Sequence, residues 1–334
     1  MKRDGGEDQD KAPISATRGP LTGLTIIDLT QTLAGPFASM MLADLGANVI
    51  KVEAPSLDSA RYFPPQPEGS ASAAQGGYGA YFASINRNKR SIILDLKQPA
   101  ATAVFRRLVA DADVVMENFR VGVMDRLGLG YEALAADHPR LVYGALRGFG
   151  DPRTGESPYA SWPAYDPVAQ AMGGIMAITS PQSGGSPTKI GPGVGDIIPA
   201  LWFAFGITAA CWQAQRSGRG QFMDIAMVDG VLAVCERTIY QLSVNGQAPA
   251  SDGNGHPLLC PFGLFPAADG FVSLGVPQES FWPPLTALMG RPELGDDERY
   301  RTNVARLARR HEVEALIGGW TAQHTKAELT ALLG

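Results

Sequence analysis

The residues best placed to do chemistry lie in Lys189-Ile-Gly-Pro-Gly-Val-Gly-Asp196, where three glycines at alternate positions lead to one carboxylate. A long apolar segment follows, running to Gln215, and reads as a buried helix. Glycine reaches backbone angles closed to other residues and lets a ligand approach closely. Asp196 therefore stands at or beside a helix start, and two roles are open to it. It can cap the helix, since Asp is a preferred N-cap residue, or it can serve as a nucleophile held among glycines.

A second concentration is basic. Asn86-Arg-Asn-Lys-Arg90, Lys97, Arg120 and Arg126 all fall in the first half of the chain. They form either a solvated face or, since several fall at strand ends beside a strand-to-helix turn, a phosphate site that uses the arginine fork and the lysine point charge. The four histidines, His138, His256, His311 and His324, pair with no Ser, Cys or Asp at a triad or metal spacing. His256 sits in Gly253-Asn-Gly-His-Pro257 and reads as a structural residue or loop contact rather than a general base. Asp166 is the other acid in a glycine-rich loop region, whereas Asp224 and Asp229 are expected to flank a strand and cap a helix.

These side chains need elements to hold them. Leu24-Thr-Ile-Ile-Asp-Leu29 is a short apolar, β-rich run, Pro36 opens a helical stretch that ends near Gly46, and a strand follows at 48–53. Such a βαβ unit predicts a parallel sheet with helices on its faces. Its turn lacks the GxGxxG dinucleotide fingerprint, yet it is a helix N-terminus suited to an anionic ligand. Further strands are expected at 91–95, 113–117, 141–146 and 221–228. Helices are expected at 99–112, 131–137, 166–172 and 229–245, with loops at 55–79, 148–159, 180–195 and 249–261. Asn118, Phe119 and Arg120 fall just beyond a strand's carboxyl end, the edge where open α/β sheets bind ligands. Residues 262–267 and 270–276, joined through Asp269-Gly270, read as a hairpin, and the chain from Glu279 reads as mostly helical.

The 334 residues suffice for two domains with a sizeable core. With 45% hydrophobic and 18% charged residues the composition is that of a globular protein. A net charge of −5 argues against nucleic acid or an anionic membrane as partner. Cys211, Cys235 and Cys260 show no metal or disulfide spacing, which fits a reducing compartment. Residues 1–19 are polar, carry no signal-peptide core and read as a flexible tail. The apolar runs are too short or interrupted to span a bilayer, so a cytoplasmic protein is expected.

Taken together, a series of stretches resembles the class III coenzyme A transferase family, whose members include formyl-CoA transferase, carnitine-related CoA transferase and α-methylacyl-CoA racemase. The matching segments are Ile27-Asp-Leu-Thr and Ala34-Gly-Pro36, Leu45-Gly-Ala-Asn-Val-Ile-Lys-Val-Glu53, Asn88-Lys-Arg-Ser-Ile-Ile-Leu-Asp-Leu-Lys97, Asp113-Val-Val-Met-Glu-Asn-Phe119, Met124-Asp-Arg-Leu-Gly128 and Gly195-Asp196. Gly218-Arg-Gly-Gln221, Ala226-Met-Val-Asp-Gly230 and Gly253 with His256-Pro257 continue the order. The resemblance implies a Rossmann-like CoA-binding domain with the active-site loop over 20–205, then linker helices and a smaller α+β domain over 206–334, in an interlaced homodimer. It implies Asp196 as nucleophile, passing through an acyl–aspartyl anhydride and an aspartyl–CoA thioester, with no metal or ATP. It further implies CoA contacts at Ala34, at Leu94, Asp95, Leu96 and Lys97, at Asn118, Phe119 and Arg120, at Arg126 and at Tyr165, and a substrate loop at Gly253, Asn254, Gly255 and His256.

Several departures bear on this. Ala54 stands where the family often has arginine, and Pro163 where formyl-CoA transferase has lysine. The racemase branch needs histidine at Tyr165 and a supporting glutamate at Gln278, so transfer is favoured over epimerisation at the α-carbon. The resemblance further implies a continuation beyond the point corresponding to Gly334, returning to the first domain. A catalytically silent CoA-binding protein is the third reading.

Overall fold

A computed structural model describes residues 19–66 and 77–334. The expected tail and the middle of the expected 55–79 loop thus lie largely outside the described residues. The chain forms two compact units, one built from residues up to Ile175 together with Ile190–Glu236, the other from Met176–Lys189 and Arg237–Gly334.

The first unit is a six-stranded parallel sheet of β1 (Thr25–Asp28), β2 (Asn48–Glu53), β3 (Lys89–Ile93), β4 (Val114–Glu117), β5 (Val142–Arg147) and β6 (Phe222–Ala226), in the order β3-β2-β1-β4-β5-β6. Its helices are α1 (Ala34–Asp44), α2 (Ala80–Asn86), α3 (Pro99–Ala110), α4 (Val123–Arg126), α5 (Tyr131–Ala135), α6 (Asp166–Met172), α7 (Val194–Ser217) and α8 (Met227–Val234). Alternate strand residues point to opposite faces. Ile26, Val114 and Val142 pack with α1 and α7, while their neighbours Ile27, Val115 and Tyr143 pack with Phe105 and Val109 of α3. Both faces are therefore covered, as a parallel sheet requires.

Strand β3 begins two residues earlier than expected and excludes Leu94 and Asp95. The reason is Lys89, whose ammonium is buried against the Asp28 carboxylate at 3.1 Å, a pairing that lets a charged residue open a strand. The expected 221–228 strand stops at Ala226, and the helix behind it starts at Met227 and breaks at Cys235. The apolar run after Asp196 is one helix of 24 residues, apolar enough by length and composition to cross a membrane, contrary to the expectation from sequence. Its Phe203, Ala204, Ile207 and Ala210 instead pack into the core of the first unit. Gly218 in the left-handed region ends it, as a C-terminal glycine should. The expected boundary after residue 205 falls inside this helix.

The second unit carries α9 (Glu236–Asn245), an antiparallel sheet of β7 (Gly255–His256), β8 (Leu259–Ala267) and β9 (Gly270–Gly275), and the helices α10 (Trp282–Leu288), α11 (Glu293–Asp296), α12 (Asn303–Ala308), α13 (Arg310–Thr321) and α14 (Lys326–Leu333). The expected hairpin and helical tail are both present. The expected 249–261 loop holds β7 and the start of β8. Trp282, Val313 and Ile317 centre this unit's own core.

Candidate active site

Strand order reverses between β1 and β4, and at such a point an open α/β sheet leaves a crevice beyond its carboxyl ends. A cavity of about 200 Å³ lies there. It is lined by the turn after β1 (Gln31 to Ala34), the segment after β4 (Asn118 to Val121), the end of β5, Tyr165, and Asp196.

Asp196 lies in the first turn of α7, whose N-cap is Gly193. The capping role is thereby taken by another residue, and the Asp196 carboxylate makes no hydrogen bond or ion pair among the described residues. It is half-buried. Burial first, and the nearby Asp166 charge second, push its pKa up to about 6.

Asp166, first residue of α6, takes over the helix end. Its Oδ1 accepts from the Gly195 amide at 2.8 Å and from Gln170 Nε2 at 2.8 Å. Gln170 is fully buried, and its Oε1 accepts from the Ile190 amide at 3.0 Å, so it braces the glycine stretch. The glycines serve approach rather than unusual angles. None of Gly191, Gly193 and Gly195 has positive φ, but a Cβ on Gly195 would lie 2.3 Å from the Asp166 carbonyl oxygen. The α7 amides next to the Asp196 carboxylate are engaged. Gly195 donates to Asp166, and Asp196 to the Gly193 carbonyl at 3.1 Å. At α1, by contrast, the Ala34 and Gly35 amides have no acceptor among the described residues, and Ala34 lines the cavity.

Of the other residues expected at the site, Asn118, Phe119, Arg120 and Tyr165 come together with Ala34 around the cavity. The amide of Asn118 is committed to the turn after β1: its Oδ1 accepts from Gln31 N at 2.8 Å and its Nδ2 donates to Gln31 O at 2.9 Å. The exposed guanidinium of Arg120 has no hydrogen-bond or ion-pair partner among the described residues. Tyr165 is 65% exposed and precedes α6. Leu94, Asp95, Leu96 and Lys97 follow β3, two strands from β1, and do not line this cavity; nor does exposed Arg126 at the end of α4.

The basic cluster is largely structural. Arg87 pairs with Asp44, Arg90 donates to Asn48 at 2.8 Å, and Lys89 is the buried partner of Asp28. Gly253, Asn254, Gly255 and His256 belong to the second unit, where Arg310 Nη2 donates to the His256 carbonyl at 2.7 Å and His256 Nδ1 accepts from the Leu258 amide at 3.1 Å. Sequence reasoning passed over Tyr81 of α2. Burial first, then the charges of Asp196, Asp58 and Asp166, raise its pKa. A seven-residue helix after a Pro- and Gly-rich stretch carries too little periodicity to announce itself.

The sequence profile of CoA-transferase family III matches residues 21–334. The chain is 46% identical over 315 residues to succinyl-CoA:mesaconate CoA-transferase of Haloarcula hispanica, covering 94% of this chain and 78% of that one. It is 41% identical over 312 residues to succinate–glutarate CoA-transferase of Agrobacterium fabrum, covering 93% and 76%. The crystal structure of a CAIB/BAIF family protein from Brucella suis superimposes with a TM-score of 0.80 at 38% identity, covering 94% of this chain and 81% of that one. The crevice at the sheet's strand-order reversal thus belongs to a member of CoA-transferase family III, an enzyme that moves CoA between an acyl-CoA and a carboxylic acid.

Proposed function

We propose that Asp196 is the nucleophile of this transfer. The observation that carries the reading is an unpartnered, half-buried carboxylate facing a crevice at the strand carboxyl ends. With a pKa of about 6 it is about nine-tenths ionised near pH 7, and it has lost part of the hydration that would blunt its attack. Asp196 Oδ attacks the thioester carbon, the C–S bond breaks, and CoA leaves as thiolate from an acyl–aspartyl anhydride. The thiolate then attacks the aspartyl carbonyl carbon and expels the first acid as carboxylate. The acceptor carboxylate attacks the resulting aspartyl–CoA thioester and again releases thiolate. Attack of that thiolate on the acceptor's acyl carbon returns Asp196 free. The free energy of the donor's thioester is retained in each acyl intermediate and returned in the product thioester.

We infer that CoA runs along the carboxyl edge of the sheet, touching Ala34, Asn118, Phe119 and Tyr165, with Arg120, Arg126 and the segment from Leu94 to Lys97 toward its phosphates. The names of the relatives point to short dicarboxylic acids as donor and acceptor. Gly253, Asn254, Gly255 and His256 are proposed to contact the acid, and the protein to act as a homodimer in the cytoplasm. Exposed Trp202, Phe205 and Trp212 on α7 supply an apolar surface for pairing.

The test is to trap the intermediate. Incubation with succinyl-CoA and hydroxylamine should leave a hydroxamate on Asp196, read by mass spectrometry. Transfer that continues in Asp196→Ala overturns the assignment.

A further inference from the structure

The turn between β1 and α1 is braced by side chains, one from the end of β1 and the others from β2 and the segments after β2 and β4. The Asp28 carboxylate accepts from the Thr30 amide at 2.9 Å, and Asn118 takes both polar groups of Gln31. The Lys51 ammonium donates to the Thr30 carbonyl at 2.7 Å. Both oxygens of Asp58 face the Thr32 amide, at 3.2 and 3.3 Å. Asp58 itself is fixed. It is 1% exposed, lies 3.1 Å from the equally buried Lys51 ammonium, and accepts from the Ala60 amide at 3.0 Å.

This bracing surrounds a strained residue. Thr32 has φ +70°, a region that a β-branched side chain enters only under constraint. Strain of this kind makes the conformation about tenfold or more unfavourable when nothing enforces it. Thr32 and the two residues after it line the crevice, so the strained torsion sets the path of the backbone that faces the ligand.

We propose that Asp58, seated on Lys51, is a positioning residue that holds Thr32 in the left-handed region and so shapes the turn against which acyl-CoA binds. The proposal rests on the placement of CoA at Ala34. It does not need Asp58 to touch substrate, and Asp58 does not line the cavity.

Because Asp58→Ala alone would leave Lys51 buried without a counter-ion, the pair is replaced together as Lys51→Met and Asp58→Leu, a swap of buried ions for apolar side chains that folds tolerate. Affinity for CoA is measured by calorimetry in the Asp196→Ala background, so that binding is read without turnover. The paired replacement should weaken CoA binding about tenfold, the strain being released in the free protein. Adding Thr32→Gly, which supplies a residue at ease with positive φ, should restore binding to within about threefold of the background.

A merely structural role for the pair predicts no such rescue. A triple replacement as weak as the pair, or a pair that binds as tightly as the background, overturns the proposal. The placement of CoA is checked apart from it: an Ala34→Asp substitution that leaves CoA affinity unchanged sinks that placement and the proposal with it. The trapping experiment reports on Asp196 alone.

Discussion

The half-buried Asp196 carboxylate should destabilise the ligand-free protein, and the size of the effect follows from its pKa. In the unfolded chain an aspartate titrates at its ordinary value of 3.8; in the crevice it titrates at about 6. A folded pKa above the unfolded one means that the native state holds the proton more tightly, so ionisation opposes folding. The penalty is absent below the unfolded pKa, grows between the two values and is complete above about 6. A shift of this size corresponds to about 3 kcal/mol. Asp196→Asn keeps the shape and removes the charge. It should therefore raise the stability of the ligand-free protein near pH 7 by up to about 3 kcal/mol, a rise in Tm of roughly 5 °C or more. Near pH 4, where the native carboxyl is already protonated, the gain should fall below about 1 kcal/mol. The assay is thermal unfolding of both proteins across this range, with transfer lost in the variant throughout. A gain that does not change with pH, or a loss near pH 7, refutes the reasoning.

Three further outcomes are expected. Asp166→Asn removes a like charge while its amide oxygen still accepts from Gly195; since burial is the larger cause of the Asp196 shift, the acid limb of the rate profile should move to lower pH by less than about one unit. Gly195→Ala drives a methyl group to 2.3 Å from the Asp166 carbonyl oxygen and should cost about 1–3 kcal/mol in denaturant unfolding, with transfer impaired because α6 and α7 must part. Arg120→Ala should raise KM for acyl-CoA several-fold at low salt and much less at high salt, since an exposed guanidinium is screened; an effect independent of salt contradicts phosphate contact.

The sheet could be read from the chain because its strands are short apolar runs between turn-forming residues, and longer helices such as α3 are legible from their own periodicity. What escaped was set by distant partners. Strand β3 starts at a lysine because Asp28, sixty-one positions away, receives it. Cys260-Pro261 lies within β8, where a local rule would forbid strand, since proline offers no ladder donor. The glycine stretch before Asp196 suggested unusual backbone angles, but Gly191, Gly193 and Gly195 all lack positive φ, and what Gly195 allows is close contact with Asp166. Asp58 carried no signal at all, since nothing in its neighbourhood shows that Lys51 lies beneath it.

The sheet's carboxyl edge holds several buried acids, and a raised pKa alone does not mark a nucleophile among them. Burial pushes Glu117 up to about 7, further above its usual value than Asp196 in no chemically useful sense, because Glu117 is fully enclosed, accepts from the Phe119 amide at 2.7 Å and faces the Arg147 guanidinium. Asp28 and Glu53 are likewise met by Lys89 and Arg61. Groups so satisfied fix the strand ends in place, and exchanging one of their partners would disturb the fold before it disturbed a reaction. Asp196 is half-buried and without a charged partner among the described residues, and it faces a space open to a ligand. An acid in that state gains stabilisation only when something electrophilic arrives, which is the condition a nucleophile must satisfy and a structural carboxylate must avoid.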